Sequence, residues 1–309
     1  MSALLRLPHE LMLEILEHLF KDEDARTPSF TSLCRASRGL RVLAEPFLYR
    51  IFDRPGPHRI EQFSQKFLAR PDLANHVRSV DIGFVSENYQ CFQPDPTPFE
   101  VDKWIDDDDA ADNAAACVGH IIPATAKIEK LRLVYDCGAR PSWWKFMEPA
   151  LDSHNSQLYH GYQHLRTVEI ACLPGVYNEV PIGPLYPIFQ LPSLRSLEIR
   201  GCTGKAFAMD SLVPGWGNES EVPREDPWNE LESPVERLLV LKSELGNRTL
   251  DRLLRGCKAL KHFHYEMDRL SFYQETLDYK DFGVALACHS KSLETLQIDF
   301  ASDQAAQIW

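Results

Sequence analysis

Long apolar runs are missing from this sequence. No stretch of the 309 residues approaches the roughly 20 consecutive apolar residues that a membrane-spanning helix requires. The N-terminal segment also lacks the continuous apolar core of a signal peptide, because Arg6, Pro8 and Glu10 interrupt it. We therefore expect no membrane partner, and a location in the cytoplasm, the nucleus or both.

Paired cysteines and positive charge are also scarce. Eight cysteines are scattered along the chain with no CxxC pair, a pattern typical of reduced thiols in the cytosol or nucleus. Lysine and arginine number 33 against 45 acidic residues, which gives a net charge of −12. Such a chain is poorly suited to sequence-independent nucleic-acid binding, because that requires basic side chains against phosphates. We expect no nucleic-acid partner.

Common catalytic motifs are absent as well. The sequence contains no GxSxG elbow, HExxH, Walker loop or GxGxxG following a predicted strand. His262, His264 and Glu266 could share one strand face, but their spacing identifies no fourth metal ligand. The aspartate run at 106–109 is interpreted as a solvated charge run rather than a calcium loop. We expect a non-enzymatic protein with no cofactor and no metal.

A strongly apolar helix near the N-terminus is the most informative feature that is present. Pro8 suits the first helical position, where a missing N–H costs nothing. At about 100° per residue, the apolar side chains sweep roughly 200° of the helix surface. They belong to Leu11, Met12, Leu13, Ile15, Leu16, Leu19 and Phe20. A unit of ~45 residues cannot bury so broad an arc alone, so either the rest of the chain or another protein must cover the surplus.

Residues 7–50 resemble an F-box over about one sixth of the chain. The first half reads Leu7-Pro8-x-Glu10-Leu11-x3-Ile15-Leu16-x2-Leu19. The second half contains Leu33, Ser37, Leu40, Leu43-Ala44, Pro46 and Leu48-Tyr49-Arg50. The chain has leucine at position 40, where family members often carry tryptophan.

The resemblance implies a partner and a set of contact residues. An F-box docks on a Skp-type adaptor and through it joins a cullin, as part of an SCF ubiquitin ligase. The implied adaptor-binding residues are Leu7, Pro8, Leu11, Ile15 and Leu16, with Leu33, Leu40 and Leu43 helping to form the same unit. The alternative is a three-helix bundle that packs only on the C-terminal region of its own chain.

A short apolar motif recurs after residue 52. Seven six-residue segments follow the pattern Φ-x-x-Φ-x-Φ, where Φ is apolar, and all seven place a charged residue second. They begin at Val77, Ile128, Leu165, Leu194, Val235, Leu260 and Leu293. In a strand, the fourth and sixth residues point to one face and the third and fifth to the other. We expect the Φ positions to form the core.

Predicted helices precede most of these strands, at 60–69, 113–122, 186–189, 250–257 and 281–290. Parallel strands need such crossovers, so the order predicts a parallel sheet. The units resemble leucine-rich repeats, most clearly at 194–202, but their uneven spacing leaves the repeat number and curvature open. The predicted fold class is α/β. A small three-helix F-box spans residues 1–52, and an irregular leucine-rich-repeat-like solenoid with a parallel sheet spans residues 53–309.

The polar strand positions are the candidate substrate-binding face. They include Arg132, Glu169, Glu198, Arg200, His262, His264, Glu266 and Asp299. Solenoids bind macromolecules on their concave faces, although an ordinary solvated sheet face is the alternative. Two insertions, at 84–112 and 203–233, carry Trp104, Trp216 and Trp228, which we interpret either as interface anchors or as side chains packed on the flank.

The two predicted surfaces together suggest a function. We expect the substrate-recognition subunit of an SCF (cullin-RING) E3 ubiquitin ligase, holding an unknown protein substrate on the solenoid. The alternative is a non-degradative scaffold that binds the same adaptor and assembles partners.

Overall fold

The computed structural model describes residues 7–53, 57–84, 121, 124–135, 162–172, 180–182, 185–203, 231–267 and 278–299. The two insertions with their tryptophans, and nearly all of the helix predicted at 113–122, lie outside the described residues. Among the described residues, no helix is both long enough and apolar enough to cross a membrane.

Three helices form the N-terminal part: α1 at His9–Lys21, α2 at Glu23–Ala36 and α3 at Arg38–Leu48. We call them the helical unit. Asp22 caps α2 by accepting a hydrogen bond from the Ala25 N–H at 3.0 Å, and Ser37 caps α3 by accepting one from the Leu40 N–H at 3.1 Å. Pro8 is the residue before α1 rather than its first helical residue, a one-residue correction to the prediction.

Aromatic side chains form the core of the helical unit. Phe30 is fully buried, and its ring stacks on Phe47 with the centroids 5.4 Å apart. Phe20 meets both rings at a steep angle, at 6.4 and 6.1 Å. Leu16 and Ala44 complete the buried set. This core is separate from the larger core beneath the sheet, so the helical unit depends on its own packing.

Eight strands form one open, all-parallel sheet in the order β1-β2-β3-β4-β6-β8-β9-β10. The strands are β1 Ile51–Asp53, β2 Ser79–Phe84, β3 Lys130–Tyr135, β4 Thr167–Cys172, β6 Ser196–Arg200, β8 Arg237–Ser243, β9 His262–Met267 and β10 Thr295–Asp299. Two further short strands, β5 Val180–Pro181 and β7 Cys202–Thr203, pair with each other in parallel. The predicted α/β class with a parallel sheet is confirmed.

The predicted helices that lie within the described residues are present, with small shifts at their ends. They are α4 Pro57–Ala69, α6 Tyr186–Phe189, α7 Asn247–Gly256 and α8 Tyr279–Ala287, and a short α5 spans Pro71–Ala74. Leu250, Leu253 and Leu254 of α7 are buried against the sheet core. The buried His289 places Nε2 2.7 Å from the Leu254 carbonyl oxygen, so it links the end of α7 to the turn after α8.

Strand β1 was not predicted. Phe52 pairs with Val80 of β2, so the sheet begins just before the predicted boundary at residue 52. Arg50 corresponds to the charged second residue of the other segments, because its carbonyl oxygen accepts hydrogen bonds from the N–H groups of Arg78 and Ser79. The segment escaped detection because its third position, Ile51, is apolar and its sixth is not.

The Φ positions form the core in six of the seven segments. Their described side chains are all buried, from Val77 to Tyr265. The last segment is different: Leu296 is 46 % exposed, and Leu293 and Ile298 are only partly buried. The prediction that every Φ position lies in the core is therefore wrong for β10. This strand is at the edge of the sheet, and no later described strand covers it.

Tyr265 gives a stability prediction for the sheet core. Its buried hydroxyl accepts a hydrogen bond from the Leu245 N–H at 3.3 Å and lies 3.3 Å from the Ser243 carbonyl oxygen. Burial raises the pKa of this phenol to about 12. Between the unfolded value near about 10 and that folded value, the unfolded chain loses its proton first, so stability falls as pH rises.

Tyr265→Phe should therefore lower the free energy of unfolding by about 1–3 kcal/mol at neutral pH, because a buried N–H loses its partner. Raising the pH from about 9 to about 12 should lower the free energy of unfolding less in the variant than in the parent, because the variant has no phenol at this position to ionise. Urea unfolding at both pH values measures the effect. Tyr279→Phe, at a tyrosine that is 49 % exposed, is the control. Equal alkaline losses in parent and Tyr265→Phe would contradict the prediction.

Candidate functional sites: an apolar helix face and a charged sheet face

An exposed apolar ridge runs along α1 and the residues before it. Leu7, Leu11 and Ile15 are 36 %, 47 % and 45 % exposed. They are four residues apart, so Leu11 and Ile15 lie one turn from each other on the same side of the helix. We call these three residues the α1 ridge. Pro8 beside it is also exposed. Large apolar side chains clustered in this way are typical of an interaction surface.

The other predicted adaptor-binding residues are buried or partly buried within the helical unit. Leu16, predicted to contact the adaptor, is 6 % exposed and faces the Phe30 core. Leu40 is also buried, and Leu33 and Leu43 are partly buried against the same core. These four side chains hold the unit together, whereas the α1 ridge faces outward.

Polar contacts attach the helical unit to the beginning of the sheet. Arg50 donates a hydrogen bond to Glu17 of α1 at 2.8 Å, and its guanidinium lies 4.8 Å from the centre of the Phe20 ring. Arg70 donates one to Glu45 of α3 at 3.3 Å. These contacts use a side of the unit that leaves Leu11 and Ile15 exposed. The described later segments therefore do not cover the ridge.

The predicted sheet-face residues align in rows across the strands. Arg132, Glu169 and Glu198 follow one another in register, and His264 lies two strands further along the same row. Arg200 lies two residues beyond Glu198, and Glu266 two residues beyond His264, where it is paired with Asp299; the register of β8 and β9 shifts at this level. His262 begins the row on the other side. The structure thus brings all eight predicted residues onto one face.

Ion pairs neutralise much of this face. Arg132 lies between Asp81, at 3.1 Å, and Glu169, at 3.5 Å, and Glu169 also meets Lys130 at 2.6 Å. Arg132 therefore does not make this part of the face basic, because Asp81 lies opposite it on β2. These side chains are partly buried, with Arg132 19 % and Asp81 13 % exposed.

Histidines and acids meet at the C-terminal end of the face. His264 Nε2 lies 2.8 Å from the Asp299 carboxylate, which also accepts a hydrogen bond from Gln297 at 2.8 Å. These two hydrogen bonds hold the pKa of Asp299 below its usual value. His262 Nδ1 lies 3.2 Å from the Thr295 hydroxyl. Within the described part of the chain, no three histidine, cysteine or acidic side chains are placed to hold a metal ion.

The charged second position of each segment has a structural role that the sequence analysis did not identify. These residues form a line along the edge where the strands begin, which we call the rim. Each carbonyl in the line from Arg78 to Lys261 accepts two N–H groups at the start of the next strand, as Arg166 does from Arg195 and Ser196, both at 2.9 Å. Neighbouring side chains pair across the strands, for example Lys261 with Glu236 at 2.7 Å.

A small cleft of about 290 Å³ opens at the rim where β4, β6 and β8 begin. It is lined by Gln163, His164, Arg166, Ser193, Arg195 and Glu236. Sequence reasoning did not predict it, although the charged second positions were the signal that marked three of its residues.

No protein-family model matches the sequence, and no curated protein is significantly similar to it. The two surfaces therefore carry the functional argument.

Proposed function

We propose that this protein is the substrate-recognition subunit of an SCF-type ubiquitin ligase. The α1 ridge docks on a Skp-type adaptor, which joins it to a cullin, and the sheet face holds a protein substrate. The chain itself performs no chemistry in this assembly, since its role is to bring the substrate to the ligase.

The observation that carries the proposal is the exposure of Leu11 and Ile15 on a helical unit with its own core. Covering a large apolar side chain is worth about 1.5–3 kcal/mol, so an unpartnered ridge leaves that free energy available to a partner. An amphipathic helix that lays such side chains into an apolar groove is a common recognition mode. The F-box resemblance of residues 7–50 names the partner that fits this mode.

The sheet supports the second half of the proposal. The parallel strands place Arg132, Glu169, Glu198 and His264 in one row, interrupted only by Leu239 of β8. Solenoids bind extended partners on sheet faces of this kind. His264 and Glu266 of β9 and Asp299 of the edge strand β10 lie at the C-terminal end of this face.

The alternative is an adaptor-bound scaffold that does not send its partner for degradation, and it requires the same two surfaces. Deleting residues 1–50 would be a poor test, because the Arg50 carbonyl accepts hydrogen bonds from β2. Replacing both ridge residues, in Leu11→Glu/Ile15→Glu, leaves that contact intact.

In cells, this double variant should lengthen the half-life of proteins captured by the parent chain, by about threefold or more if degradation through the ligase dominates their turnover. Pulse-chase of co-purified proteins measures the half-life. Leu68→Glu, at an exposed position on α4, is the control. Unchanged half-lives, with adaptor binding lost, would contradict degradation and favour the scaffold.

A further inference from the structure

The charges along the rim alternate with one exception. From β2 to β10 the rim residues are Arg78, Glu129, Arg166, Arg195, Glu236, Lys261 and Glu294. The alternation gives ion pairs between neighbours, such as Arg78 with Glu129 at 3.5 Å. It fails at Arg166 and Arg195, which are like charges on adjacent strands. Like charges placed opposite each other in a sheet are destabilising.

The two arginines differ in how they are held. Arg195 is fixed, since its guanidinium donates to the Leu194 carbonyl at 2.8 Å and to the Pro192 carbonyl at 3.2 Å. Arg166 makes no ion pair with any residue that the structure describes. Its neighbour Glu129 is paired with Arg78 on the other side. An exposed guanidinium beside a second, fixed one is an arrangement that an anion would stabilise.

The volume of the cleft between the two arginines favours a small anionic group over a larger ligand. At about 290 Å³ it is at the lower limit of small-molecule pockets, about 300–1,000 Å³. Its only acidic lining residue, Glu236, accepts a hydrogen bond from Lys261 at 2.7 Å, which lowers the pKa of its carboxyl group, and lies 3.7 Å from the Arg195 guanidinium. Glu236 therefore partly neutralises Arg195, while Arg166 has no described acidic partner. The hydroxyl-bearing Thr167 and Ser196 directly follow the two arginines on their strands.

We propose that the cleft between Arg166 and Arg195 binds the carboxylate side chains of an acidic segment of the captured protein. The inference rests on the proposed role of the sheet face in holding a protein partner, and names the chemistry of that partner. A guanidinium binds a carboxylate through two parallel hydrogen bonds, so two adjacent guanidiniums suit consecutive acidic residues. The net charge of −12 means that this attraction is local. An acidic peptide gains nothing from the rest of the surface.

The test uses the full chain and two labelled peptides, one with a run of glutamates and one with glutamines at the same positions. Fluorescence anisotropy should show the glutamate peptide binding at least about tenfold more tightly, and losing affinity as salt rises. Arg166→Gln/Arg195→Gln should abolish this preference. Arg248→Gln/Lys280→Gln, which removes two exposed positive charges from α7 and α8, should change the affinity by less than about twofold.

Three results would overturn the inference: equal binding of the two peptides, an unchanged affinity in the cleft variant, or an equal loss in the control. The cleft variant removes one like-charge repulsion and one exposed ion pair, that of Arg195 with Glu236 at 3.7 Å, so it should keep the melting temperature of the parent within a few degrees. If it fails to fold, Arg166→Gln alone removes no described ion pair and should still weaken binding about fivefold. Binding of the Skp-type adaptor by the same preparations keeps the two proposals distinguishable. If only peptide binding fails, the cleft assignment is wrong; if the parent fails to bind the adaptor, the proposed function is wrong.

Discussion

Leu11→Glu/Ile15→Glu should weaken binding of a Skp-type adaptor by at least about a hundredfold, which corresponds to about 2.7 kcal/mol. Both side chains are nearly half exposed and neither packs against the core of the helical unit, so the substitutions leave that core intact. In a complex, however, they would place two carboxylates in an apolar groove, where unpaired charge is costly. Titration calorimetry of the full chain with purified adaptor measures the loss.

The matched control for this variant is Leu68→Glu/Val284→Glu. These residues are also large, apolar and exposed, but they lie on α4 and α8, away from the ridge. The control should bind the adaptor within about twofold of the parent, and both double variants should keep the melting temperature of the parent within a few degrees. A similar loss in the control, or unfolding of the ridge variant, would show that α1 is part of the protein core rather than a docking surface.

Phe30→Ala should unfold the helical unit and spare the sheet. Phe30 is fully buried and stacks on Phe47, and truncating a buried phenylalanine costs about 3–5 kcal/mol. Three short helices with a small core of their own have a low free energy of unfolding. The variant should therefore lose helical signal in circular dichroism and lose adaptor binding, while the amides of β2 to β9 remain protected from hydrogen exchange.

Phe30→Leu is the control, because it keeps most of the apolar volume and should lose only part of this stability. If the sheet amides of Phe30→Ala lose their protection together with the helices, in one cooperative transition, the two cores are not independent.

Local features of the sequence predicted the regular elements well. The Φ-x-x-Φ-x-Φ segments identify seven of the eight main strands, and each strand begins at or near the third residue of its segment, as in β3 and β6. The alternation of buried Leu197 and Ile199 with polar Glu198 follows directly from strand geometry. Strand β1 was missed because its segment, which begins at Tyr49, has Arg54 at the sixth position, where the pattern requires an apolar residue.

The predictions that failed concern residues whose neighbours in the fold are distant in the sequence. The ion pair between Asp81 and Arg132 joins residues on two strands separated by a long insertion, and only the register reveals it. Leu296 fits the core pattern but is exposed, since β10 is an edge strand and no later described strand covers it. The charged second position was visible in the sequence, but its role at the rim required the order of the strands.

The most direct test of the account is hydrogen exchange of the full chain with and without a purified Skp-type adaptor. We predict a one-to-one complex at about 10 µM or below, with exchange slowed in α1 around Leu11 and Ile15 and unchanged across β2 to β9. No complex at that concentration, or protection that appears on the sheet face while α1 is unaffected, would contradict the proposed function.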